Sequence, residues 1–212
     1  MPWDLLVPHL LWARTDPEVA IERLKAYTTR VLDWNANVSN LISRHDETRF
    51  VERHLLESLE PAHWILESGA ENWIDFGSGA GLPALPLALA GIGKRWVLVE
   101  SRRPKTLFLR KTLEDLQLKN IEIVHSRLEI LVDDPEFASR FDGFTSRATL
   151  TLVPTLLLAA KVVARNGTAL LWKGSRREEE MNEDDSWKTS WEHNGLLGLG
   201  SGNIAVAKFL RL

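Results

Sequence analysis

Apolar residues recur at helical spacing in the first part of the chain and in short blocks thereafter. Thr15-Asp16-Pro17-Glu18 reads as a helix start: Asp16 can cap free amides, Pro17 suits the first helical position, and Glu18 favours the positive dipole end. Ile21, Leu24, Val31 and Trp34 follow at near-helical intervals and predict one inward face. A second amphipathic helix is predicted over Asp46 to Leu59, with Phe50, Val51, Leu55 and Leu59 inward. From Asn72 the rhythm changes to short runs rich in β-branched or aromatic residues, which predict strands at Trp73 to Phe76, Trp96 to Glu100, Ile121 to His125, Phe141 to Ser146 and Thr168 to Trp172. Between them helices are expected near Leu82 to Ala90, Pro104 to Leu116 and Leu150 to Ala164, the last ended by Asn166-Gly167. In the tail, Ser186 to Glu192 and Ile204 to Leu212 are strand-like and joined by the glycine-rich stretch Gly195 to Asn203. No helix intervenes, so the two should pair antiparallel. The charged run Arg176 to Asp185 reads as an exposed loop or short helix.

Alternating strands and helices predict an α/β fold with a mostly parallel sheet. Closed by one antiparallel C-terminal hairpin, the expected arrangement resembles the organisation of class I, Rossmann-like methyltransferases. Residues 1–70 form an N-terminal helical extension in this reading, and residues 71–212 the core, together one compact unit.

Composition adds mainly exclusions. At 44% hydrophobic and 26% charged residues the chain is ordinary for a globular protein, which argues against overall disorder. The richest apolar stretch, Thr151 to Ala164, is interrupted by Pro154 and Lys161 and is too short to cross a bilayer. Met1-Pro2-Trp3-Asp4 lacks the features of a secretory signal, so a cytoplasmic location is expected. The absence of cysteine excludes disulfides, thiolate metal sites, and the covalent-thiol route to methylating pyrimidine carbons. The six histidines are scattered, and no metal site is expected. A net charge of −3 does not announce a nucleic-acid binder, so any RNA contact must be local. Candidate patches are Arg44, Arg49 and Arg53; Arg102, Arg103, Lys105, Arg110 and Lys111; and Lys173, Arg176 and Arg177.

The most informative stretch is Asp75-Phe76-Gly77-Ser78-Gly79-Ala80-Gly81-Leu82, where a strand runs into glycines and then a helix. Glycines let the backbone turn sharply and approach a ligand closely. A dinucleotide fingerprint places its third glycine at the position of Leu82; here it comes one residue early, at Gly81. The shorter form with Asp75 ahead of it resembles motif I of adenosylmethionine methyltransferases. The next strand ends at Glu100, an acid able to accept hydrogen bonds from two ribose hydroxyls. That feature fits NAD and S-adenosylmethionine equally.

Further motifs sharpen the comparison. Trp34-Asn35, Asn40-Leu41, Arg53-His54-Leu55-Leu56-Glu57-Ser58, Gly81-Leu82-Pro83-Ala84-Leu85-Pro86-Leu87, Ser126-Arg127-Leu128-Glu129, Ser146-Arg147-Ala148 and Lys173-Gly174 follow one another in order. From about Val31 to the C-terminus the chain resembles the bacterial 16S rRNA guanine-N7 methyltransferase family, also called glucose-inhibited division protein B. The resemblance implies S-adenosylmethionine as cofactor and 16S ribosomal RNA or the small ribosomal subunit as partner, with guanine 527 as the acceptor base. It also implies that Gly77 and Leu82 contact the cofactor and that Leu128 and Glu129 border the adenine. Arg147 is implied at the cofactor and substrate side of the fourth strand. With the glycine loop and ribose acid, the expected cofactor residues are Gly77, Gly79, Gly81, Leu82, Glu100, Leu128, Glu129 and Arg147. Two departures stand out: Arg103-Pro104-Lys105 replaces a frequent Lys-Arg pair, and Glu57 replaces the usual Asp.

Guanine N7 carries a lone pair and no proton to lose, so no general base is expected. Arg147 is the candidate for orienting the substrate, and Arg127 and Lys173 are candidates for contacting RNA. Arg127 and Arg147 could instead pair with Asp142 or Glu129, and His54 reads as a packed core histidine. Trp34, Asn35 and Asn40 are expected to fix the extension to the core. A methyltransferase acting on a small molecule or protein, a nucleotide-binding oxidoreductase and a non-catalytic ribosome-binding module remain open alternatives.

Overall fold

The computed structural model describes residues 1–11, 13–200 and 202–212. Its helices are α1 (Val7–Leu10), α2 (Pro17–Asn37), α3 (Glu57–Leu59), α4 (Ala62–Ser68), α5 (Ala84–Leu89), α6 (Arg103–Asp115), α7 (Leu128–Leu131), α8 (Leu152–Val162) and α9 (Arg177–Met181). The strands are β1 (Asn72–Phe76), β2 (Arg95–Val99), β3 (Ile121–Val124), β4 (Phe141–Arg147), β5 (Val163–Lys173), β6 (Trp191–Gly198) and β7 (Ala205–Arg211). They form one sheet in the order β3-β2-β1-β4-β5-β7-β6, in which β1 to β5 run parallel and β7 is antiparallel to both its neighbours. The order reverses between β1 and β4, and the crevice at the carboxyl ends there is the usual ligand position of an open α/β sheet.

Both sheet faces are covered, so most positions of the inner strands are buried, the polar Asp75, Thr145 and Ser146 among them. On one face Trp73, Trp96, Leu98 and Trp172 share a buried layer with Leu24 and Tyr27 of α2, with α5 and with Phe108 of α6. On the other, Ile74, Val99, Phe144 and Phe209 pack with Leu128 of α7 and Leu156 of α8. The Trp73 and Trp96 rings stack at 5.5 Å between centroids, which leaves no room for a side chain at Gly143 beneath Trp73.

α2 begins as expected: the Asp16 carboxylate accepts from the amides of Glu18 and Val19, and Pro17 opens the first turn. Its buried stripe is Ala20, Leu24, Tyr27, Thr28, Val31 and Asn35, one position out of phase with Ile21 and Trp34, which are only half-buried. Asn35 does not reach the core as expected but braces the extension internally, its Oδ1 accepting from the amides of Leu41 and Ile42 at 2.7 and 3.1 Å, whereas Trp34 packs edge-on against Phe108 of α6 at 5.5 Å between centroids. Trp34 donates to Ser39, while Asn40 is exposed.

Three predicted elements differ. The helix expected over Asp46 to Leu59 is a 3-10 turn at Arg44–Arg49, a π-helical stretch at Val51–Leu56 and then α3, although Phe50, Val51, Leu55 and Leu59 are all buried as expected. The helix expected to reach Ala164 stops at Val162, because β5 starts at Val163 to pair with Phe141, and Asn166-Gly167 forms an irregular step inside that strand. The first arm of the hairpin is Trp191–Gly198 rather than Ser186 to Glu192, which is mostly a 3-10 turn. Much of the stretch expected to link the arms is therefore strand; Ser201, within it, lies outside the described residues. Trp187 and Trp191 explain the shift: both side chains are buried under α8, Trp191 donating to the Leu156 carbonyl, so the ladder starts only after the chain has turned. Among the described residues no helix is long and apolar enough to cross a membrane.

Candidate cofactor cleft and its helical brace

The loop after β1 is held from several sides. The amides of Gly77 and Ser78 donate to the Val99 carbonyl at the end of β2, at 2.9 and 3.1 Å. The amide of Gly79 donates to Oε2 of Glu100 at 2.9 Å, and Oε1 of the same carboxylate accepts from the Arg102 amide at 2.7 Å. Behind the loop, the Tyr27 hydroxyl of α2 donates to the Ala80 carbonyl at 2.8 Å. Gly77 has φ of +69°, and a Cβ there would stand 2.3 Å from Cγ2 of Thr149 in the loop after β4. Glycine is therefore required at this position both for its backbone conformation and for the close approach of a second loop.

Asp75, at the end of the strand, is fully buried and accepts from the Thr145 hydroxyl at 2.6 Å. Burial pushes its carboxyl up to about 7, and its Oδ2 has no partner among the described residues.

A cavity of about 730 Å³ opens at these carboxyl ends, with Gly77, Glu100, Lys105, Arg127, Glu129 and Thr149 on its wall. Another, of about 420 Å³, lies among Asn72, Arg95 and Asn120 at the opposite ends of the strands. Four of the residues expected at the site, Gly77, Glu100, Arg127 and Glu129, thus meet in one cleft. Gly79 and Gly81 shape its loop. Leu82 is nearly buried, and Leu128 lies wholly within the apolar layer beneath α7.

Arg147 and Lys173 are engaged within the fold. Nη2 of Arg147 donates to Glu57 Oε2 at 2.6 Å and to the Arg53 carbonyl at 2.8 Å, and lies 3.3 Å from Nδ1 of His54. Its partner is thus Glu57 rather than Glu129 or Asp142; Asp142 instead accepts from the amides of Glu71 and Asn72. Burial holds His54 down at about 4, with the nearby Arg147 charge acting in the same direction, so the ring is neutral near pH 7. Lys173 donates to the Leu150 carbonyl at 2.7 Å and pairs with Glu180, whose carboxylate also accepts from the Leu152 amide at the start of α8. Tyr27, Thr145 and Thr149 are not among the residues the sequence singles out, whereas Lys105, expected only as part of a basic patch, stands on the cleft wall. Tyr27 does fall on the helical stripe of α2, but its partner is 53 positions away.

A glycine loop and a strand-end acid at the switch point of a parallel sheet with an antiparallel tail define a Rossmann-like methyltransferase fold. Solved structures of that kind superpose on it: a methyltransferase from Geobacter sulfurreducens at a TM-score of 0.59, covering 94% of this chain and 92% of its own, with 14% identity. A SAM dependent methyltransferase from Aquifex aeolicus aligns at 0.57 with 14% identity, covering 80% of this chain and 96% of its own. The chain belongs to the family described as rRNA small subunit methyltransferase G, whose model matches residues 20–195. Relatives bearing that name include a protein of Pseudomonas aeruginosa, 38% identical over 75% of this chain and 71% of its own length. Another, from Ectopseudomonas mendocina, is 41% identical over 62% of this chain and 58% of its own length.

Proposed function

We propose that this chain transfers the methyl group of S-adenosylmethionine to N7 of a specific guanine in 16S ribosomal RNA, acting in the cytoplasm on that RNA or on the small ribosomal subunit. The observation that carries the reading is Glu100, a buried acid that lines the cleft while fixing the glycine loop, in a chain of this family.

The residues present fit the cofactor. Each Glu100 oxygen holds one backbone amide and retains a second acceptor position for a ribose hydroxyl. The cleft volume lies in the range of small-molecule sites. Nη1 of Arg147, at the end of β4, is buried and has no partner among the described residues, an orphaned donor beside the cleft loops. When bound, the sulfonium supplies an electrophilic methyl carbon to an acceptor lone pair. Gly77, Gly79, Gly81 and Leu82 shape the floor of its site in this reading, and Leu128 and Glu129 flank the base. The protein contributes alignment, because guanine N7 needs no base to remove a proton. Arg127, exposed at the mouth, is the RNA contact; Lys173 holds the loop before α8 from within. Residues 1–70 then act as a brace on the 71–212 core.

The test is methyl transfer from labelled S-adenosylmethionine to ribosomal RNA of cells lacking this protein, offered as intact small subunits and as naked RNA, with the modified nucleotide mapped. Label at N7 of one guanine supports the proposal. Label on a protein or small molecule, with none on RNA, would replace it.

A further inference from the structure

We infer that Tyr27 is a positioning residue for cofactor binding, holding from the helical extension the loop conformation in which Glu100 and the glycines form the cleft. The inference rests on the cofactor reading above. Tyr27 is the only tyrosine of the chain and is fully buried, its ring 6.0 Å from that of Phe50. Its hydroxyl donates to the Ala80 carbonyl, which has no backbone donor among the described residues. On either side of Ala80, Gly79 and Gly81 have φ of +57° and +93°. These are the residues most free to rotate, so the peptides joining them hold their orientation only as long as their polar groups are engaged.

Two contacts engage them from opposite sides. Glu100 takes the amide of Gly79, and Tyr27 supplies the donor for the carbonyl of Ala80. Without the hydroxyl, a buried carbonyl is left unsatisfied, and the cheapest relief is rotation of a glycine-flanked peptide toward water. Relayed through the freely rotating Gly79, that relaxation loosens the Gly79 amide from Glu100 and frees the acid from the orientation in which it meets ribose hydroxyls. Burial raises the Tyr27 hydroxyl well above its ordinary value, so the donor persists across the working pH range. The arrangement gives the extension a function at the cleft as well as a share of the core.

Tyr27→Phe removes one oxygen and keeps the ring. Binding of S-adenosylhomocysteine to the full chain, followed by calorimetry, should weaken roughly fivefold, the weight of one hydrogen bond. The KM for cofactor should rise with kcat at saturation unchanged, and the ligand-induced rise in Tm should shrink. Val31→Ala, on the same buried stripe one turn further on, provides a control that lowers Tm while leaving the Kd unchanged. The inference is overturned if Tyr27→Phe lowers Tm but binds the ligand as tightly as the wild type, or if Val31→Ala weakens binding equally. Failure of the wild-type chain itself to bind S-adenosylhomocysteine would overturn the cofactor reading and this inference with it.

Discussion

Arg147, at the end of β4, and Glu57, in the helical extension, form an ion pair of 2.6 Å that joins two segments 90 residues apart. Glu57 is almost wholly buried and also takes Nη1 of Arg53 at 2.9 Å, while its own carbonyl accepts from the Trp172 indole at 2.8 Å. With Tyr27 on the glycine loop, the extension grips the carboxyl ends of β1, β4 and β5. Cutting one partner from such a pair leaves a buried charge uncompensated, at a cost of about 3–5 kcal/mol. Glu57→Ala should therefore lower the urea midpoint steeply, whereas Glu57→Gln, which keeps the hydrogen-bond geometry, should lower it less. Equal losses in the two variants would show that the charge alone, and not packing or hydrogen-bond geometry, matters at this position.

Asp75 and His54 give opposite pH dependences. Burial raises Asp75 from its ordinary value to about 7, so between pH 4 and 7 the folded chain holds a proton that the unfolded chain has released, and stability falls as pH rises. Burial lowers His54 from 6.5 to about 4, so in that interval the unfolded chain holds the extra proton and stability rises with pH. The two offset each other between pH 4 and 6.5. Relative to wild type, Asp75→Asn should add a rising slope of up to about 1.4 kcal/mol per pH unit, and His54→Gln a falling one of the same size. Urea unfolding at half-unit steps from pH 4.5 to 6.5 reads both, and parallel profiles for all three proteins would contradict the assignment.

The sheet is legible because short apolar runs such as Trp96-Val97-Leu98-Val99 and Ala169-Leu170-Leu171-Trp172 alternate with helix-length segments; each predicted core strand matches one in the structure, with shifts only at its ends. Glu100 and Gly77 were readable for a related reason, since a strand end followed by glycines is local. Distant partners leave no such trace. In the sequence Glu57 stands out only as a departure from Asp, and nothing near it indicates that Arg147 turns toward it. The hairpin was misplaced because Trp187 and Trp191 are apolar in the manner of a strand but are drawn inward by α8. The π-helical stretch at Val51–Leu56 keeps the helical apolar pattern, which cannot distinguish it from an α-helix.

Gly77 should tolerate no side chain. An alanine there carries a strained positive φ and a Cβ 2.3 Å from Cγ2 of Thr149, so the two loops that flank the cleft must part. Gly77→Ala is expected to abolish detectable S-adenosylhomocysteine binding while the protein still unfolds cooperatively. Thr149→Ser removes the colliding methyl group, and the double variant should recover part of the affinity. The remaining deficit reflects backbone strain of about 1–2 kcal/mol. If the double variant binds no better than Gly77→Ala, the contact between the loops is not what excludes a side chain.

Arg127 and Lys173 were both candidates for RNA, and their surroundings separate them. Arg127 is exposed on the cleft wall and has no ion-pair partner among the described residues, so its charge is available to a phosphate. Lys173 is committed to the Leu150 carbonyl and to Glu180, and together they fix the start of α8. Each phosphate contact contributes about 0.7–0.9 to the slope of log affinity against log salt concentration. Arg127→Ala should reduce the magnitude of that slope for ribosomal RNA by about this amount, with Tm unchanged. Lys173→Ala should leave the slope as it is and lower Tm, because it strips a donor from the Leu150 carbonyl and leaves Glu180 unpaired. A slope change in Lys173→Ala with none in Arg127→Ala would invert the assignment and move the RNA contact from the cleft wall to the end of β5.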